Sequence, residues 1–185
     1  MHCKNSECCD QIHFVGIHVR RTDYNKKLLN HDREIVNETY FLNAMKLMVD
    51  RIGKLKKKDR LMFIVASDDS SWCKAKFSQF GLNYTIIYTI DYYPRIQQKY
   101  LDSHNLSNCN NKLCKEAIDM EYVHFDLAVM SSMNYSIYDY GTYGMWGAYL
   151  SQSEFTISAD SRKANEPDLR VTNKESKIVL RCVNL

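Results

Sequence analysis

Apolar residues fall along this chain in two rhythms, and the rhythms alternate. QIHFVGIHV (11–19), RLMFIVAS (60–67) and NYTIIYTI (83–90) are short aliphatic and β-branched runs of the length of buried strands. Between the first two, NETYFLNAMKLMVDRIGKL (37–55) sets Tyr40, Phe41, Ala44, Met45, Met48 and Ile52 at helical spacing, with Asn37 placed to cap it. The polar residues before that helix read as a loop. DDSSWCKAKFSQFG (68–81) predicts a second helix, with acids at its start and Gly81 at its end. Residues 91–120, with Pro94, several Asn and two Cys, read as an irregular insertion. Beyond them EYVHFDLAVMSSM (121–133) is helical, NYSIYDY (134–140) strand-like, and TYGMWGAYLSQ (142–152) a helix opening after Gly141. EFTISAD (154–160) and SKIVLRCV (176–183) close the pattern as strands.

Strand–helix alternation at this spacing predicts an α/β fold: a Rossmann-like, mostly parallel sheet with helices on its faces. In such sheets ligands bind beyond the carboxyl ends of the strands. Three segments meet that edge: His18 with Arg20 to Asp23, Ser67 to Asp69, and Tyr140 to Gly144. The first is chemically unusual. A buried strand that ends in two adjacent guanidinium groups places rigid, permanently charged forks where an anion is to be gripped. Gly141 and Gly144 around Thr142 suit a strand-to-helix turn whose N–H groups face a phosphate. There is no G-x-G-x-x-G and no G-x-x-x-x-G-K-[ST], so neither a dinucleotide fingerprint nor a P-loop explains the site.

Composition narrows the field. A chain of 185 residues is one domain with a real core, or half of a two-domain enzyme. Its 45% hydrophobic and 25% charged residues are a globular balance, and a net charge of +3 argues against nucleic acid as partner. The basic run GKLKKKDR (53–60) reads as a solvated helix end. No apolar run approaches the roughly 18 residues of a membrane span, and no signal-peptide core opens the chain. Yet there are four Asn-x-Ser/Thr sequons, at Asn37, Asn83, Asn105 and Asn134, and seven cysteines. Cys109 and Cys114 in CNNKLC suit a short disulfide loop. Cys3, Cys8 and Cys9 beside His2 and His13 are too irregularly spaced for a zinc site. Seven being odd, at least one cysteine lacks an intrachain partner.

Three blocks resemble a known family. VGIHVRRTDY resembles the H-x-R-R-x-D segment of the α1,2-fucosyltransferases and of the related α1,6- and protein O-fucosyltransferases. FIVASDDSSWCKAKF is similar to the second block of the α1,2 family, and FDLAVMSSMNYSIYDYGTYGMWGAYLS to its third, the block that points to the galactoside 2-fucosyltransferases. Together they span residues 14 to 151. Tyr143 stands where the family often has Phe, and the 91–120 segment is longer than the family pattern. The resemblance implies the donor-binding half of a GT-B-type enzyme, forming one domain over residues 1–185. The acceptor half and an N-terminal membrane anchor would lie outside this chain. It implies transfer of L-fucose from GDP-fucose to the 2-hydroxyl of a terminal galactose on a glycan, with inversion, at the lumenal side of the Golgi membrane.

The residue chemistry agrees with that reading. Negative charge develops on the diphosphate as the sugar leaves, and a guanidinium aimed there stabilises the transition state. Arg20 is the candidate, sharing a strand face with His18, itself a donor to phosphate or ribose or else a core histidine. Arg21 points to the other face, to phosphate or to a pairing acid. Asp23 is the candidate catalytic acid of the block, as a base or as the group that orients an arginine. Ser67, Gly141, Thr142 and Tyr143 are further donor-binding candidates. Asp68 and Asp69 read as a helix cap or as acceptors for guanine or ribose. With no Asp-x-Asp, no metal or other cofactor is expected. Tyr143, Trp146 and Tyr149 at helical spacing read as core. Two other readings stay open: a remnant that binds the donor without turnover, and a protein O- or α1,6-fucosyltransferase, which the third block disfavours.

Overall fold

A computed structural model describes residues 12–30, 35–53, 60–81, 84–151, 153–160 and 168–173. Strands β1 (Ile12–Val19), β2 (Arg60–Ser67), β3 (Thr85–Tyr88), β4 (Tyr135–Tyr138), β5 (Phe155–Asp160) and β6 (Asp168–Asn173) form one sheet in the order β3-β2-β1-β4-β5-β6. The first five are mutually parallel, and β6 runs antiparallel to β5. Register aligns Val19 of β1 with Ser67 of β2, and His18 with Tyr138 of β4. The carboxyl ends of the three central strands therefore come to one edge.

The alternation within β1 builds the layers. Val15, Ile17 and Val19 are wholly buried in a core with Phe41, Ala44, Met45 and Met48 of α2 (Glu38–Gly53) and Cys73 and Phe77 of α3 (Ser70–Phe77). Gly16 and His18 face the other way, toward α5 (Lys112–Ser131) and α6 (Thr142–Leu150). A Cβ on Gly16 would sit 2.8 Å from the side chains of Met130 and Met133, so α5 approaches β1 closely because that side chain is missing.

Two segments read as irregular are helical. The loop after β1 contains α1 (Thr22–Leu29), whose Leu28 enters the core. Residues 91–120 contain α4 (Tyr93–Ser103) and the first part of α5, after a 3₁₀ turn at Thr89–Tyr92. Pro94 sits in the first turn of α4, where its missing N–H has no helical partner to lose. The apolar residues here are few because they fill only a small satellite core of Leu101, Cys114 and Ile118. Cys109 and Cys114 are disulfide-bonded, their Cα atoms 5.6 Å apart, across the α4–α5 connection. Cys73 is a buried free thiol. The other four cysteines, Asn83 and the strand expected at 176–183 lie outside the described residues, while β6 at Asp168–Asn173 was not anticipated.

Candidate active site

A cavity of about 500 Å³ opens at the carboxyl edge of the sheet. His18 and Arg20 reach it from β1, Asp23 and Tyr24 from α1, Ser67 and Asp68 from β2, and Tyr140 to Tyr143 from the β4–α6 turn. The wall opposite is made by Ile90 and Tyr93 and by Tyr122, Val123 and Asp126 of α5.

The two arginines part company. Arg20 lines the cavity, its side chain 40% exposed and held by Asp23 at 2.8 Å and Asp68 at 3.4 Å. Arg21 lies outside the cavity lining: its guanidinium stacks 3.7 Å from the Trp72 ring centroid, its Nε is 3.5 Å from Asp69, and one Nη donates to the Val36 carbonyl. Both lie beyond the end of β1, and the split comes where the backbone at Arg21, φ −126° and ψ −48°, turns into α1.

The adjacent acids also take different partners. Asp68 accepts from the backbone N–H of Arg21 (2.9 Å) and Thr22 (3.1 Å) and from the Thr22 hydroxyl, capping α1 from across the sheet. Asp69 caps α3, accepting from the Trp72 N–H at 3.1 Å. Ser67 accepts from the Asp69 N–H at 2.9 Å. Asp68 thus fixes both the turn that carries Arg20 and the guanidinium itself.

Gly141 has φ +110°, a conformation closed to other residues, and it turns the chain from β4 into α6. Among the described residues no side chain caps α6, so its first N–H groups at Thr142 and beyond are open to an anion. Tyr143 donates its hydroxyl to the Val123 carbonyl and packs its ring 5.0 Å from that of His18. Tyr143 thus ties α6 to the cavity's far wall. The aromatic row on α6 is not core: Trp146 is 51% exposed, and the buried face is Gly144, Gly147 and Ala148, because only small residues let the helix lie this close to its neighbours.

His18 is 6% exposed, and burial holds its pKa down to about 4, with Asp68 opposing that fall and Arg20 adding to it. It is a neutral imidazole at physiological pH, able to donate one N–H. The linkage has a definite sign. Above pH 6.5 both states hold His18 neutral, but as pH falls toward 4 the unfolded chain takes up a proton that the folded one refuses. Folding stability therefore drops by about 3 kcal/mol over that window relative to His18→Gln, measured by urea unfolding at each pH. A constant difference between the two proteins from pH 7 to 4 would show that His18 titrates normally.

Two acids escaped the sequence reading. Asp139, 3% exposed, accepts the Arg20 N–H at 2.7 Å, and burial raises its pKa well above the usual carboxylate range, against the pull of that hydrogen bond. Asp126, 8% exposed, accepts from the Tyr93 hydroxyl at 2.8 Å, and burial raises its pKa too. A signal for Asp126 was available: it falls in the i, i+4 series Ile118, Tyr122, Asp126, Met130, an acid on an otherwise buried stripe.

Several known proteins are similar to this chain. The galactoside 2-alpha-L-fucosyltransferase Sec1 of Mus musculus is 23% identical over 154 residues, covering 83% of this chain and 33% of that protein. The chain thus spans about a third of the length of the curated relative it matches. Among solved structures, a NodZ alpha-1,6-fucosyltransferase soaked with GDP-fucose shares 11% identity at a TM-score of 0.48, covering 88% of this chain and 42% of its own. Fucosyltransferase NodZ from Bradyrhizobium shares 11% identity at 0.47, with the same coverage. The sequence profile of glycosyl transferase family 11 matches residues 3–112, more than half of the sequence, and the chain belongs to that family.

Proposed function

We propose that this chain is the donor-binding half of a GT-B-type fucosyltransferase that moves L-fucose from GDP-fucose to the 2-hydroxyl of a terminal galactose, with inversion. The observation that carries the reading is Arg20: a guanidinium lining the cavity at the sheet's carboxyl edge, beside a helix N-terminus that no side chain among the described residues caps. Those two features are suited to the two phosphates of the donor. As the bond from fucose C1 to the phosphate oxygen breaks, charge gathers on the leaving diphosphate, and Arg20 stabilises it. The neutral His18 donates to a phosphate or ribose oxygen. The opposite wall offers Asp126 as acceptor for the N–H donors on the edge of guanine, beside the stacked rings of Tyr93 and Tyr122, 4.1 Å apart. The likeness to Sec1 and the Gly-Thr-Tyr-Gly block support the α1,2 linkage and a galactose-terminated acceptor.

Asp23 is 70% exposed and paired with Arg20, so its role in this scheme is to orient the guanidinium. The base for the acceptor hydroxyl then comes from outside this cavity lining. That same observation favours a second reading, in which the chain binds the donor without turnover. Incubating GDP-fucose with a galactoside acceptor and either this chain or a longer form separates the two. Transfer by either form supports the enzyme, and GDP binding with no transfer by either supports the second reading. Failure to bind GDP more tightly than UDP would remove both.

The lumenal face of the Golgi is the proposed location, and the Cys109–Cys114 disulfide suits an oxidising compartment. Among the described residues no helix is long and apolar enough to cross a membrane. Donor binding is proposed to need no metal, because Asp68 and Asp69 are engaged on different helices rather than facing one ion. EDTA should therefore leave the Kd for GDP within about twofold, a change under roughly 0.5 kcal/mol. Loss of binding that Mn²⁺ restores would show that this acid pair holds an ion.

A further inference from the structure

The described sequons differ in what their asparagines do. Asn37 caps α2 through its carboxamide, accepting from the Tyr40 N–H at 3.2 Å, and the next residue, Glu38, is tied to Lys76 at 2.9 Å. Asn134 is built into the amino-terminal edge of the sheet: its Oδ1 accepts from the Phe14 N–H, its own N–H bonds the Phe14 carbonyl, and its carbonyl accepts from the Glu154 N–H. The hydroxyl that completes that sequon, on Ser136, has no exposure and is shared with Ser153 at 2.8 Å.

Asn105 is different in each respect. It lies between α4 and α5, in a stretch from Asp102 to Asn108 that is exposed at every residue, including Leu106 and Ser107 of its own sequon. Its φ is +53°, the left-handed turn conformation that Asn tolerates, and among the described residues its carboxamide has no bond. The base beneath it is fixed. Leu106 N–H returns to the Leu101 carbonyl at 2.9 Å, and the Cys109–Cys114 disulfide pins the connection to α5. It is also remote from the cavity. Tyr93, the first residue of α4, lines the cavity, whereas Ser103, its last, is about 15 Å away along the helix axis, and Asn105 lies two residues beyond Ser103.

We propose that Asn105 carries an N-linked glycan, in the compartment that forms the neighbouring disulfide. In that reaction Nδ2 of Asn105 bonds to C1 of an amino sugar as the bond from C1 to a lipid-pyrophosphate oxygen breaks. The lipid pyrophosphate leaves and the displaced amide proton passes to the transferring enzyme. The Oδ1 of Asn105 is unchanged, and no hydrogen bond of its side chain among the described residues is lost. The inference rests on the connection itself and not on the donor-site reading.

The test is the full chain directed into the secretory pathway of cultured animal cells, followed by peptide mapping with and without peptide N-glycosidase. Asn105 is expected to be occupied, with its glycan lost in both Asn105→Gln and Ser107→Ala. Occupancy of Asn105 is expected to persist in Asn37→Gln and Asn134→Gln. GDP binding is expected to be the same with the glycan present or removed. Unmodified Asn105 overturns the proposal, whether or not the other sequons are occupied. So does a glycan on Asn105 whose removal unfolds the chain, since the site would then not be the free turn described.

Discussion

Arg20→Lys is expected to weaken GDP binding by roughly 10- to 150-fold, the ~1.5–3 kcal/mol of one charge-assisted contact. Lysine keeps the charge but not the planar fork, so the variant isolates geometry from charge. The same fork holds Arg20 to Asp23 and Asp68, and with Lys at most one of those contacts survives in place. Asp68 still caps α1 through backbone N–H groups, so the turn itself stays formed. Because Arg20 is 40% exposed and its ion pair with Asp23 is solvated, the melting temperature should move little. Arg21→Lys makes the opposite contrast. It removes a stack on Trp72 at 3.7 Å and a half-buried pair with Asp69, so it lowers stability while leaving GDP affinity close to the parent's. Titration calorimetry with GDP and thermal melting, run on both variants, read the two axes separately. If Arg21→Lys loses GDP and Arg20→Lys does not, the face assignment is reversed. If neither does, this cavity is not the donor site.

The central sheet was legible because its strands are buried on both faces and so appear as near-continuous apolar runs, most plainly LMFIVA in β2. The ligand edge followed from the alternation alone. Helices α1 and α4 were not legible, because their faces bury very little: Leu28 in one and Leu101 in the other. A helix with one buried residue leaves no period to read, and Pro94 sits where a helix start and a turn look alike. The site divided in the same way. Arg20, Gly141 and Thr142 were visible as chemistry at strand ends, whereas the parting of Arg20 from Arg21, expected from a continuing strand, arises where the chain leaves β1 and turns into α1. Asp139 was not visible, since an acid between Tyr138 and Tyr140 gives no sign that it bonds the backbone of Arg20, 119 residues earlier. The acid pair at 68–69 illustrates the limit most clearly. Sequence proposes a cap, and Asp69 is one for the helix that follows it. Asp68 caps a helix from another part of the chain, which only the parallel pairing of β1 and β2 brings near.

Gly144→Ala is expected to destabilise the fold by about 1–2 kcal/mol, and two opposing effects decide the sign. Alanine is the better helix former by about 1 kcal/mol, so propensity alone predicts a gain in α6. Against it, a Cβ at this position would lie 2.7 Å from the Cβ of Tyr138 and 2.9 Å from Nδ1 of His18. Neither neighbour can give way at low cost. Tyr138 and His18 are register partners in the parallel strands β4 and β1, and a Cβ is fixed by its backbone. Helix α6 must lift instead, and overpacking of this kind costs about 1–3 kcal/mol, occasionally more. Lifting also opens its second close contact, where a Cβ on Gly147 would stand 2.9 Å from Met130. For a chain of this length the melting midpoint should fall by roughly 2–8 °C. The control is Gly53→Ala at the last residue of α2, where an added Cβ meets nothing within 4 Å. That change should be neutral or stabilise by up to about 1 kcal/mol. Because α6 begins one residue after Gly141, its displacement moves the Thr142 turn away from Arg20. Gly144→Ala should therefore lose GDP affinity even below its melting transition, while Gly53→Ala keeps it. A Gly144→Ala protein that melts at or above the parent would show that α6 does not sit against β1 and β4 as described, and that its N-terminus is not held toward the cavity.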